Sequence, residues 1–125
     1  MMGCIFCEYD KDKYIAENDL AFAIYDNFPV NKGHILVIPK RHFSSYFEAK
    51  AAEIEAIFKL TKRCKEILEV KYDPDGYNIG VNVNYPGGQT IMHLHQHIIP
   101  RYKGDVENPR GGIRKLKPNL VEYDG

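Results

Sequence analysis

The chain has 125 residues, 17 basic and 17 acidic, and an apolar fraction of 44 % that includes nine Tyr and six Phe but no Trp. That length suits one domain, and the aromatic residues can fill its core. The cancelled charge excludes a global field that would gather polyanions, so any phosphate site must be built locally. No apolar run reaches membrane-spanning length, and the opening MMGCIFCEYD lacks the apolar stretch of a signal peptide. The expectation is a cytoplasmic protein with no membrane partner. With neither a basic face nor a recognised motif, no nucleic-acid partner is expected either.

In chain order, the first feature is the C-x-x-C pair Cys4 and Cys7. Three cysteines are a poor basis for a disulfide framework, and Cys64, alone in a helical pattern, reads as a small buried apolar residue. LAFAIYD (20–26) is short, apolar and aromatic and predicts a strand. NFPVNKG (27–33) predicts a turn, and HILVIPK (34–40) predicts a second, more buried strand that forms a hairpin with the first. Phe47, Ile54, Ile57, Phe58, Thr61, Cys64, Ile67 and Leu68 recur at helical spacing, with Ser44 or Ser45 able to cap the start.

After a turn at DPDG (73–76), YNIGVNV (77–83) alternates as a strand, NYPGGQ (84–89) is a loop, and HLHQHIIP (93–100) is another strand. From Tyr102 onward no periodicity is evident, so 103–125 reads as an arm on a core of about 4–102. Strands, one long helix, then strands with short connections predict an α+β fold, an antiparallel sheet with the helix on one face.

The last strand places His93, His95 and His97 at alternate positions, three of only five histidines. Alternation puts them on one face, neighbours roughly 7 Å apart and the outer pair about 14 Å. Adjacent members could converge on one metal, but the outer two could scarcely both bind one ion, so a three-histidine zinc centre from this row alone is not expected. A row of imidazoles suits an extended anion: neutral His is a nucleophile, and neutral or cationic His donates to phosphate oxygens. The loop YPGGQT (85–90) adds backbone N–H groups freed by glycine and the side chains of Gln89 and Thr90. Alternatively the histidines are half-exposed polar residues beside an ordinary turn.

GGQTIMHLHQHIIPR resembles the signature of the histidine triad (HIT) superfamily, and FPVNKGHILVIPKRH (28–42) is similar to its other hallmark, a turn feeding a G-H-x-L-V-x-P strand. The IIPR ending and the tail GDVENPRGGIR resemble the bacterial branch acting on dinucleoside polyphosphates and the fragile histidine triad proteins. The resemblance implies a HIT-like fold of about five antiparallel strands and one helix, and nucleotidyl transfer through a covalent histidine. In that scheme His95 attacks the α-phosphorus and His97 steadies the non-bridging oxygens. Gln89, with the backbone of Gly88 and Thr90, assists, and Gln89 orients the leaving group or the attacking water. No metal is required for the chemistry.

His34 matches a histidine close behind the triad and would fix ring orientation; a satisfied core histidine is the alternative. Asp26 matches a residue that binds ribose hydroxyls in relatives, or simply starts a turn. Asn82 falls where relatives carry an amide that contacts phosphate, or is an ordinary strand-end residue. Ile5, Phe6 and Phe28 are candidates to line a base pocket.

The resemblance extends to zinc. Cys4 and Cys7 with His42 and His93 match the Cys-Cys-His-His structural site of bacterial HIT proteins and galactose-1-phosphate uridylyltransferases; a redox pair or two unlinked thiols are the alternatives. Four such ligands would clamp the N-terminus to the sheet and leave His95 and His97 for chemistry. The leading expectation is a hydrolase of dinucleoside polyphosphates such as diadenosine tetraphosphate. A phosphoramidate hydrolase, a nucleotidyltransferase using phosphate, and a non-catalytic, zinc-stabilised nucleotide-binding module are the alternatives. Homodimerisation is carried over from the family.

Overall fold

The computed structural model describes residues 3–117. Five strands form one antiparallel sheet in the order β1-β2-β3-β5-β4: β1 (Ala16–Glu17), β2 (Ala21–Tyr25), β3 (Ile35–Pro39), β4 (Gly76–Val81) and β5 (Gln96–Arg101). One helix, α1 (Ala51–Lys71), separates β3 from β4 and packs on β1, β2 and β3. The α+β architecture expected from the sequence is the one found. The arm expected over 103–125 is described as far as residue 117, with a 3-10 turn at Gly112–Leu116; its remainder lies outside the described residues.

Residue parity sorts the sheet into two faces. Ala21, Ala23, Ile35, Val37 and Ile98 face α1, where Ile57, Leu60, Cys64 and Leu68 supply the helix side of the core. Those helix positions are three or four residues apart, one stripe of a 3.6-residue period. Phe22, Ile24, Leu36 and Ile38 face the other way and enclose Phe6. The small alanines of β2 let the helix approach closely. Gly33 serves the same junction: its φ of 87° lies in the left-handed region, and a Cβ there would meet Leu68 Cδ2 at 2.8 Å.

Several details differ from the sequence reading. Phe47 and Phe58, counted on the apolar stripe, are 83 % and 61 % exposed. Phe47 precedes α1 in a separate 3-10 turn, Tyr46–Glu48, and it is this turn that Ser45 caps. The start of α1 is held by Glu53, whose carboxylate accepts from the Lys50 N–H and from Arg41. β1 was not expected; two residues long, it carries too little pattern to read.

The strand expected over 93–100 begins only at Gln96. The Leu94 N–H donates to the Phe43 carbonyl at 2.8 Å, outside the ladder. Both neighbouring strands pair with β5 from Gln96 onward. His93 and His95 therefore sit in an irregular run, and only His97 is on the strand.

Candidate active site

β3 and β5 pair Leu36 with His97, which puts His97 on the face away from α1. There it joins His95, Thr90, Asn82 and Asp26 around a cleft of about 250 Å³ whose far wall is Ile5, Phe6, Tyr9 and Phe28. Sequence parity alone predicted one face for all three histidines. The alternation holds through the irregular run: Leu94 and Ile98 join the helix-side core and Gln96 reaches Thr61 of α1, while Phe6, on the other face, packs against both His93 and His95. On that shared face the rings divide by depth: the centroids of His95 and His97 lie 5.2 Å apart, whereas His93 is wholly buried and points to the cysteines.

The proton on each ring follows from its partners. His95 Nδ1 lies 2.8 Å from the His93 carbonyl, which can only accept, so Nδ1 carries the hydrogen. In the neutral ring that puts the lone pair on His95 Nε2. The Val30 N–H donates to His34 Nδ1 at 3.0 Å, so neutral His34 carries its hydrogen on Nε2. This Nε2–H lies 2.9 Å from His97 Nδ1 and donates to it, which places the remaining His97 hydrogen on Nε2, the atom left to donate. Burial holds His97 well below the ordinary imidazole range, to about 4, aided by the charges of His95 and His34 and opposed by Asp26. His34 is lowered as well, again mainly by burial.

Asp26, His34 and His97 also lie close enough to suggest a metal site. Their hydrogen bonding does not fit one, because the nitrogen His34 would have to offer carries the proton. Asp26 Oδ1 accepts from the Phe28 N–H, and Oδ2 stands 3.4 Å from His34 Nε2. Asp26 therefore sits at the cleft rim with carboxylate lone pairs to spare.

Gln89 is not where the resemblance put it. It is 1 % exposed, and its carboxamide turns into the protein: Nε2 donates to the Ser44 and Ile91 carbonyls, and Oε1 accepts from the Asn84 N–H. A side chain with its donors and acceptor so engaged cannot also hold phosphate or orient water. The Gly88 N–H is likewise committed, to the Tyr85 carbonyl at 2.8 Å. Gly88 itself has φ 100° and leaves room for Asn82, whose Nδ2 would lie 3.5 Å from a Cβ there. Thr90 is exposed to the cleft, and among the described residues neither its hydroxyl nor its N–H has a hydrogen-bond partner. Thr90, Asn82 and His97 are thus the donors left for an anion beside His95.

On the far side of the triad run, Cys4 Sγ, Cys7 Sγ, His42 Nδ1 and His93 Nδ1 all lie within 4.8 Å of one another. His93 Nδ1 is 3.3 Å from Cys4 Sγ, 3.5 Å from Cys7 Sγ and 3.1 Å from His42 Nδ1, and Cys7 Sγ is 3.4 Å from His42 Nδ1. A tetrahedron with zinc bond lengths has edges of about 3.4 Å between nitrogens and about 3.6 Å between nitrogen and sulfur. The donor set and spacing fit such an ion. His93 Nε2 donates to the Pro39 carbonyl at 2.8 Å, which leaves Nδ1 unprotonated, as a ligand must be. Phe6, between the two cysteines, packs against both His93 and His95.

Two features were not readable in the sequence: the Val30 N–H that sets the His34 tautomer, and the Ser44 carbonyl that receives Gln89. Both are backbone groups, which carry no residue-type signal.

A five-stranded sheet, one helix on its back and an H-x-H-x-H run entering the strand beneath an anion-sized cleft define a small α+β protein of histidine-triad type. The sequence model of the HIT domain matches residues 8–104. The chain belongs to the HIT family. It is 41 % identical to a HIT-like protein of Methanocaldococcus jannaschii, over 83 % of each chain. It is 34 % identical to a bis(5'-adenosyl)-triphosphatase of Dictyostelium discoideum, over 72 % of this chain and 60 % of the relative. It is 30 % identical to an AP-4-A phosphorylase of Mycobacterium tuberculosis, over 74 % of this chain but only 48 % of the relative. Among solved structures, the Zn-bound histidine triad family protein of Mycobacterium smegmatis superposes with a TM-score of 0.75 at 29 % identity, covering 83 % of this chain and 78 % of that one.

Proposed function

We propose that the protein hydrolyses dinucleoside polyphosphates, of which diadenosine tetraphosphate is the type, through a nucleotidyl intermediate on His95. The observation that carries this reading is the His95 ring: Nδ1 is tied to the His93 carbonyl, so the neutral tautomer has its lone pair on Nε2, beside the cleft. In the first step the Nε2 lone pair forms a bond to the α-phosphorus, and the phosphorus–oxygen bond to the rest of the polyphosphate breaks, its electron pair leaving with that oxygen. His95 is then a nucleotidyl-imidazolium, still hydrogen-bonded through Nδ1. In the second step water attacks the same phosphorus, the N–P bond breaks back to the lone pair, and the surplus proton passes to solvent. Dividing one displacement into two is the gain of covalent catalysis. His97 Nε2–H, Thr90 and Asn82 hold the non-bridging oxygens as charge builds, Asp26 receives ribose hydroxyls, and Ile5, Phe6 and Phe28 flank the base.

The relatives support a nucleotide substrate: one is named a bis(5'-adenosyl)-triphosphatase and another an AP-4-A phosphorylase. The phosphorylase name supports a second reading in which phosphate, not water, attacks the intermediate. A panel of diadenosine polyphosphates and adenosine phosphoramidates, each assayed with and without phosphate, separates these readings. Cleavage of dinucleoside polyphosphate to nucleotides in water is the expected result; turnover only with phosphate, or only on phosphoramidates, replaces it.

Zinc at Cys4, Cys7, His42 and His93 would be structural, clamping the N-terminal turn to the triad run. A homodimer is consistent with β4 being an edge of the sheet with Ile79 exposed on it. A cytoplasmic setting suits three free thiols, and no helix among the described residues is long and apolar enough to cross a membrane.

A further inference from the structure

One buried carboxamide joins the loop that borders the cleft at Gly88 and Thr90 to the loop after β3. The loop after β3 carries His42 of the Cys-Cys-His-His cluster, and two residues on, the Ser44 carbonyl accepts from Gln89 Nε2 at 2.8 Å. Gln89 Oε1 accepts from the Asn84 N–H at 2.9 Å, and its own N–H donates to the Asn84 carbonyl at 3.1 Å. Gln89 therefore closes the loop 84–89 on itself and fastens it to the His42 loop. The Phe43 carbonyl between them holds the Leu94 N–H at 2.8 Å, inside the triad run. Asn84 has φ 63°, a left-handed conformation that a loop residue keeps only when its neighbours hold it. Thr90, which faces the cleft, follows Gln89 directly.

We propose that Gln89 is a positioning residue: it ties the phosphate-facing loop to the metal-bearing loop, so that order at the cysteine–histidine cluster is transmitted to the groups that hold phosphate. A buried amide with its hydrogen bonds satisfied favours one arrangement, because each broken bond leaves an unpaired polar group in the interior.

The test uses the full chain loaded with zinc and two near-isosteric variants, Gln89→Met and Gln89→Glu. Affinities for AMP and adenosine are measured alongside hydrogen exchange at 40–45 and 84–91, with β3 amides as internal reference. The AMP comparison rests on the nucleotide reading of the site; the exchange comparison does not. Either variant is expected to bind AMP about tenfold more weakly, the effect of misplacing one or two donors, with adenosine unchanged. Exchange at 84–91 is expected to rise in the zinc-loaded variants. In the wild-type chain, chelating the metal is expected to raise exchange at 40–45 and 84–91 together, ahead of β3; this arm decides the matter should a variant fail to fold. Equal losses for AMP and adenosine, unchanged AMP affinity in both variants, or chelation that frees 40–45 alone or all segments alike would each overturn the proposal. If wild-type protein binds neither ligand while the exchange pattern holds, the nucleotide reading fails and the tie stands.

Discussion

His34 Nε2 lies 2.9 Å from His97 Nδ1, and the hydrogen between them belongs to His34, because the Val30 N–H occupies that ring's other nitrogen. A backbone amide thus dictates, through two rings, that His97 presents an N–H to the cleft. Replacing His34 by Phe should keep the fold, since its neighbours Ile35, Leu36 and Val37 remain buried, but should free the His97 ring to adopt the other tautomer. The expected effect is a fall in kcat of about 10–100-fold with KM little changed. Steady-state kinetics checks it; a change in KM alone would place His34 in ground-state binding.

The depressed pKa of His97 has a consequence for stability. Its folded value is about 4 against an ordinary value of 6.5, so at pH values between these the unfolded chain binds more protons than the folded one. Stability from this group is complete above about pH 6.5 and declines as pH falls towards 4; His34, also lowered, acts in the same direction. Thermal melts across this range should show Tm falling with pH, and His97→Asn should flatten that slope. A variant melting curve with the same pH dependence as wild type would remove His97 as its source.

Removal of the metal should be felt as loss of stability. With Cys4, Cys7, His42 and His93 converging, native protein is expected to contain about one zinc per chain, and Cys4→Ala should lose it and lower Tm. Elemental analysis and thermal melts check this. Metal-free native protein with both thiols freely titratable would contradict it.

In the core, Leu68 is fully buried between α1 and the sheet, beside Gly33. Leu68→Ala should destabilise by about 2–5 kcal/mol through lost burial and a residual cavity. Val70→Ala, at a position 91 % exposed, should change stability by less than about 0.5 kcal/mol. Denaturant unfolding measures both, and similar values for the two would contradict the assigned helix face.

Much of this was readable in the sequence, because periodicity reports burial. Ile57, Cys64 and Leu68 of the stripe read from the sequence mark the inner face of α1, where the structure adds Leu60, and the runs 20–26 and 34–40 marked the central hairpin. The histidine row and the cysteine pair were legible because their residue types are scarce and their spacing specific. What escaped was decided by hydrogen bonds to the main chain. Leu94 donating to Phe43 takes His93 and His95 out of the strand ladder, although the three rings keep the one face that parity predicts. Gln89 sits in a loop beside a cleft-facing residue, where its type suggested a ligand; the Ser44 and Ile91 carbonyls and the Asn84 N–H turn it inward.

The most direct test of the account is to mix the enzyme with a diadenosine polyphosphate, quench in base during turnover, and map the modified peptide by mass spectrometry. The account predicts one nucleotidyl group, carried by His95 and absent from His95→Asn, with that variant retaining nucleotide binding but losing turnover by 10³-fold or more, roughly the effect of removing a nucleophile. A nucleotidyl group on another residue, or turnover surviving in His95→Asn, would contradict it.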